Sequence, residues 1–170
     1  MSTLEVKGIQ APSGFNLDMP AGHILQVVHS SATSQVSQSG NTASFTDTGL
    51  SASITPKFST SKILVTGYIS FYAHSSGGNG SVEFNFAVCD SSNNILDGTT
   101  SDIEGYRLNQ TYDLGGKHPV NFLHSPSTTS AFTYKMRMNA KNSNNSLVLY
   151  SQKGGTGNNI SRITLIEVAG

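Results

Sequence analysis

Apolar and polar residues alternate along most of this chain. Val82, Phe84, Phe86 and Val88 alternate with Ser81, Glu83, Asn85 and Ala87. Phe132, Tyr134, Met136 and Met138 alternate with Thr133, Lys135, Arg137 and Asn139. A period of two places one set on a core and the other in solvent, so both runs predict half-buried strands. Lys62–Tyr72 has the same period with a difference. One face carries Ile63, Val65, Gly67, Ile69 and Phe71; the other carries Leu64, Thr66, Tyr68, Ser70 and Tyr72, a mixed face. Such a strand is expected to be covered on both sides, the second cover being another subunit. Further strands are predicted at His23–His29, Ala43–Phe45, Ser51–Thr55, Pro119–Leu123, Leu147–Tyr150 and Arg162–Val168.

Turn-forming residues separate these runs at Ser75–Gly80, Asp90–Asn94, Lys141–Asn145 and Lys153–Asn159. Gly supplies positive φ, and Asn, Asp and Ser bond their own backbone. No window sustains helical spacing. About eight short strands joined by turns predict an all-β protein, an antiparallel β-sandwich of jelly-roll type. Two stretches fall outside the pattern. Met1–Pro20 holds Pro12, Gly14 and Pro20 with weak periodicity and reads as an arm, leaving residues 21–170 as one sandwich domain. Asp97–Gly116 reads as a long irregular connection, a common seat of recognition on a β scaffold.

Composition narrows the function. The 170 residues carry 10 basic and 10 acidic side chains, for a net charge of +0. That argues against nucleic acid or an anionic membrane surface as partner. No apolar run approaches the roughly 20 residues that span a bilayer, so membrane insertion is not expected. Ser, Thr, Asn and Gly make up roughly four-tenths of the chain, far above their ordinary share. The lone Cys89 rules out an internal disulfide and reads as a packed thiol.

Candidate chemistry is sparse. His23 and His29 stand six apart, as do His118 and His124, too far along one strand to chelate together. No Gly-x-Ser-x-Gly elbow occurs. Asp102 and Glu104 form the one carboxylate pair worth weighing for glycoside hydrolysis, and they lie in the expected loop. Neither an enzyme, a cofactor nor a metal is expected. Loop aromatics offer a better signal, because Tyr supplies flat area plus a hydroxyl among hydrogen-bonding Ser and Asn. Tyr106, Arg107, Tyr112 and Lys153 are the candidate receptor contacts.

Four phrases add a resemblance: Ala21–Val28 (AGHILQVV), Ser53–Val65 (SITPKFSTSKILV), Phe122–Lys135 (FLHSPSTTSAFTYK) and Ile163–Ala169 (ITLIEVA). Together with the opening MSTLEVKGI they resemble a β-sandwich module of tailed-bacteriophage tail fibres and related virion proteins, often of marine and cyanobacterial phages. The resemblance spans nearly the whole chain. It implies a homotrimer at the virion surface, with a role in host attachment. It further implies other phage tail or capsid proteins as partners of residues 1–20, and a host surface glycan or outer-membrane protein as receptor. Family fibres carry a long shaft before this module, whereas here the module begins near residue 21. The expectation is therefore a short fibre or tip, with a capsid or tail decoration or adaptor as the alternative.

Overall fold

The computed structural model describes residues 20–39, 44–76, 80–97, 103–107, 111–142, 147–154 and 159–170. All but Pro20 of the expected arm lies outside them. Eleven strands follow in order: β1 (Ile24–Ala32), β2 (Val36–Ser39), β3 (Thr46–Ile54), β4 (Lys62–Ser76), β5 (Gly80–Cys89), β6 (Ile95–Asp97), β7 (Ile103–Arg107), β8 (Thr111–His124), β9 (Phe132–Asn142), β10 (Leu147–Ser151) and β11 (Ser161–Val168). They form two antiparallel sheets, as the alternation predicts. The first runs β1-β11-β4-β10-β2 with β8 added to β4; the second runs β3-β9-β5-β6 with β7 added to β5.

The 15-residue β4 organises the first sheet. It pairs with β8 from Ile63–His124 through Ser76–Thr111. On its opposite edge β11 pairs with Lys62–Tyr68 and β10 with Phe71–Ser75. Ser70 falls in the gap between these partners. Its N–H donates to Ser161 Oγ at 2.9 Å, and its carbonyl accepts from Gln152 N at 3.0 Å. The handover thus leaves no orphaned backbone group, which a buried strand could not tolerate cheaply. β4 and β11 also approach closely at Gly67, where an added Cβ would lie 2.1 Å from the Arg162 carbonyl oxygen.

The core lies between the sheets and obeys the period of two. Ile63, Val65 and Ile69 from β4 meet Phe84 and Phe86 from β5, and Tyr134, Met136 and Met138 from β9; all are 1% exposed or less. The Phe71 ring sits 5.4 Å from that of Phe86. Buried apolar area of this kind is the main favourable term in folding. Among the buried polar side chains Glu167 stands out, a fully buried carboxylate on β11. It accepts from Gln26 Nε2 at 2.5 Å and from the Lys57 amide at 2.6 Å. Burial alone would push its carboxyl upward; the Ser61 hydroxyl, Gln26 and the amides of Lys57 and Phe58 outweigh that and hold it below the usual range.

Three expectations need correction. β5 is not half-buried: Asn85, Ala87 and Cys89 on its second face are buried like Phe84, Phe86 and Val88, with Asn85 bonded to Asn139 and Ala87 and Cys89 lying opposite Arg137 and Lys135 of β9. Asp97–Gly116 is not an irregular connection, since it contains β7 and the first six residues of β8. Gly105, Gly115 and Gly116 dilute the hydrophobic alternation there, while pairing of β7 with β5 and of β8 with β4 imposes the strands; strand preference yields readily to such context. Residues 44 and 45 are not strand, and Ala43 lies outside the described residues. The strand in this region is β2 instead, paired with β10. Gln38 on β2 ties the following segment down through Nε2, which donates to the Ser44 carbonyl and to Thr46 Oγ1.

Candidate functional site

The outward face of the first sheet carries a cleft of about 260 Å³. Its lining is Ser70, Phe71 and Tyr72 on β4, Gly115, Gly116 and Lys117 on β8, and Lys153 and Asn159 from the β10–β11 connection. Register explains the opening. Tyr72 faces Gly115 across the β4–β8 ladder, and Phe71 faces Gly116. Gly115, on the outward face opposite Tyr72, therefore leaves a hollow beside that ring, while Gly116 turns to the core side against Phe71. A Cβ at Gly115 would sit 3.5 Å from the Tyr72 ring, and one at Gly116 3.2 Å from Phe71.

Lysines flank the hollow. Lys153 Nζ lies 3.3 Å from the centre of the Tyr72 ring and 5.2 Å from that of Tyr150. Lys117 Nζ lies 4.6 Å from the centre of the Tyr68 ring. An ammonium over an aromatic face is attracted without being neutralised. Neither lysine has an ion-pair partner among the described residues. The nearby carboxylate, Asp113, accepts from the Tyr72 hydroxyl and bonds His74 Nδ1 at 2.7 Å, both through Oδ1, and its charge also attracts Lys153. Those bonds hold its carboxyl below the usual range, and Asp113 in turn raises the Tyr72 phenol.

The backbone at Lys153 is held from several sides. Preceding it, Gln152 is fully buried with φ +48°. Its side-chain oxygen accepts from the Ser161 hydroxyl at 2.5 Å, and its nitrogen donates to the carbonyls of Ser34 and Thr48. On the other side, Gly154 N donates to Gln35 Oε1 at 2.8 Å. Asn159 Nδ2 donates to the Lys153 carbonyl at 2.6 Å. A left-handed backbone at a non-glycine residue is costly and persists only when its surroundings over-determine it. Here that arrangement fixes where the lysine emerges.

The four sequence-predicted contacts divide. Lys153 lines the cleft. Tyr106 and Arg107 lie on β7 in register with Ser81 and Gly80, on the other sheet. Tyr112 pairs with Ser75, three residues along β8 from Gly115. The side chains of these three fall outside the described residues. Lys117, Tyr68, Tyr72 and the glycine pair were missed. Their signals were two tyrosines four apart on the mixed face of β4, and a Gly-Gly-Lys run in a segment read as loop.

Other candidates are spoken for. Cys89 is buried, and burial pushes its thiol up, which makes it a poor nucleophile. Glu104 lies on β7, and Asp102 is outside the described residues. The histidines are dispersed: His29 bonds Thr164, His74 bonds Asp113, His118 stacks on Phe86 and His124 bonds the Tyr134 hydroxyl at 2.8 Å. Among the described residues no group of three His, Cys, Asp or Glu is placed to hold a metal ion.

Fold and cleft together define an antiparallel β-sandwich with a basic, tyrosine-lined hollow on one outer face. No protein-family model matches the chain, and no curated protein matches it. Among solved structures it is similar to the infectious bursal disease virus VP2 subviral particle, at 14% identity and a TM-score of 0.47 over 85% of this chain and 33% of that one. It is also similar to the T=1 particle derived from that virus, at 11% identity and a TM-score of 0.42 over 96% of this chain and 40% of the other. The chain thus spans a third to two-fifths of the length of these neighbours.

Proposed function

We propose that the chain is a virion structural protein of a tailed bacteriophage, a short fibre-like homotrimer that binds rather than catalyses. Residues 1–20 would anchor it to other phage tail or capsid proteins. The cleft around Lys153 would meet the host surface, at a glycan or an outer-membrane protein. The fibre-module phrases in the sequence support the virion assignment.

One structural observation carries the self-association. Val27, Ile166, Leu64 and Leu123 stand in register across β1, β11, β4 and β8, forming one apolar row on the outward face of the first sheet. Ile24 and Val168 extend it at the next register. Ile24, Val27 and Leu123 are more than half exposed within a single chain. A contiguous apolar strip on a polar protein marks an interaction surface. Copies of the same chain would seal it and leave the cleft, farther along the same sheet, at the assembly surface.

Two measurements test this reading. Light scattering after size exclusion should return three times the 18.0 kDa chain mass; a single-chain mass overturns the trimer. Antibody raised against the protein should label particles from a lysate carrying its gene. Label on particles, together with binding of purified protein to host cells, supports attachment. Label without cell binding favours a decoration or adaptor whose contacts are all with phage proteins.

A further inference from the structure

The geometry points to an anionic sugar as the ligand of the Lys117–Lys153 cleft: one hexose-sized ring bearing a carboxylate or a phosphate. This rests on the attachment reading above and gives it a chemical class.

The hydrogen-bonding inventory decides the charge. A lysine ammonium offers three donors and no acceptor. Two such groups border the hollow, each resting on an aromatic ring that leaves most of those donors free. Acceptors are fewer and partly engaged. Asp113 Oδ1 takes both Tyr72 and His74. The Ser70 carbonyl accepts from Gln152 N, and the Lys153 carbonyl from Asn159. A neutral sugar presents hydroxyls that both donate and accept, and it would leave two ammoniums sharing the single nearby carboxylate of Asp113. A carboxylate or phosphate supplies acceptors alone, with the charge that two unpaired ammoniums favour.

Size and shape decide the ring. A cleft of about 260 Å³ lies just under the roughly 300 Å³ where ordinary ligand sites begin. A bare inorganic ion would leave most of it to water. The Tyr72 ring gives an apolar wall for the C–H groups of a sugar, and the absent side chain at Gly115 lets the sugar ring sit against the β8 backbone. The pinned backbone at Lys153 means little ordering is left for binding to impose.

Calorimetry on the full chain at low salt tests the assignment with D-glucuronate, glucose 6-phosphate, glucose and inorganic phosphate as separate ligands. At least one charged sugar should bind about tenfold more tightly than glucose and than inorganic phosphate, a gap of about 1.4 kcal/mol. Which one binds tells carboxylate from phosphate. The pair Lys117→Met and Lys153→Met should lose about tenfold in that affinity with unchanged circular dichroism and mass. Gly115→Leu, which keeps both lysines and fills the hollow, should lose as much. Equal binding of glucose, equal binding of inorganic phosphate, binding of none of the four, or full affinity in the double variant overturns the assignment. Should the variants fail to fold, the ligand series on the unaltered chain decides alone. Host-cell binding measured on the same preparation separates the two readings: cells bound with acidic sugars ignored refutes the ligand class and leaves attachment standing.

Discussion

The two outward faces of the sandwich are built from similar residue types and treat charge in opposite ways. On the β9 face of the second sheet, the cations among the described residues are matched. Lys135 and Arg137 both reach Asp47, at 3.3 and 2.6 Å, and Lys141 reaches Glu83 at 3.2 Å. Beneath them Asn85 and Asn139 are buried and hydrogen-bonded to one another. On the β4 face of the first sheet, Lys117 and Lys153 rest on tyrosine rings and Arg162 bonds the Tyr68 hydroxyl at 2.6 Å. The same face carries the exposed apolar row. A face whose charges satisfy each other needs nothing further. One that displays unmatched cations and apolar side chains is shaped for a partner.

The largest effect should come from breaking the platform under the second of these faces. Gly67→Ala would drive a methyl group into the Arg162 carbonyl at the centre of the β4–β11 ladder. Neither strand can yield without disturbing its other neighbour. The cost should be about 3 kcal/mol, at the upper end for overpacking, and the melting temperature should fall by about 10 °C. Sugar binding and the apolar row should be lost with it. A variant that melts within a degree of the parent would mean that the two strands are not locked there.

Next in size is a change of assembly without a change of fold. Val27→Asp with Leu123→Asp places charge in the apolar row at two positions already exposed in one chain. The light-scattering mass should drop from three chains to one, with the circular dichroism spectrum retained. An unchanged mass moves the subunit seam away from this row.

The alternation of Phe132–Met138 was enough to orient β9, and that of Val82–Val88 placed Phe84, Phe86 and Val88 on the core, but it missed that Asn85 and Ala87 on the other face are buried as well. The mixed face of Lys62–Tyr72 was legible too, and it is the face that carries both the row and the cleft. What could not be read was adjacency. Tyr72, Gly115 and Lys153 are separated by dozens of residues and meet only through the β4–β8 register and the buried Gln152. Lys153 was reached by a general preference for loops. The same preference misplaced Asp97–Gly116, where glycines hid strands that long-range pairing enforces.

Acid should expose a further difference, between the buried carboxylate of β11 and the rest of the molecule. Glu167 has its folded carboxyl held below its ordinary value near 4.5. A depressed carboxylate contributes stability in full above the unfolded value, and that contribution drains away as pH falls through the folded one. Urea midpoints should therefore decline below about pH 4.5. Glu167→Gln should cost about 1–3 kcal/mol at neutral pH, as expected when hydrogen-bonded buried groups lose a charged partner, and its midpoint should vary less across the acid range. A variant as acid-sensitive as the parent would place the responsible carboxylate elsewhere.

The smallest effect should fall on the matched face, and its smallness is the point. Asp47→Asn removes the shared partner of Lys135 and Arg137. Asp47 is about half exposed, and such pairs contribute about 1 kcal/mol or less. Melting should shift by no more than about 4 °C, with mass and glucuronate affinity unchanged. If this substitution instead altered the mass or the binding, the charges of the second sheet would be serving a partner as well. The contrast between a self-satisfied face and an open one would then fail at its stronger end.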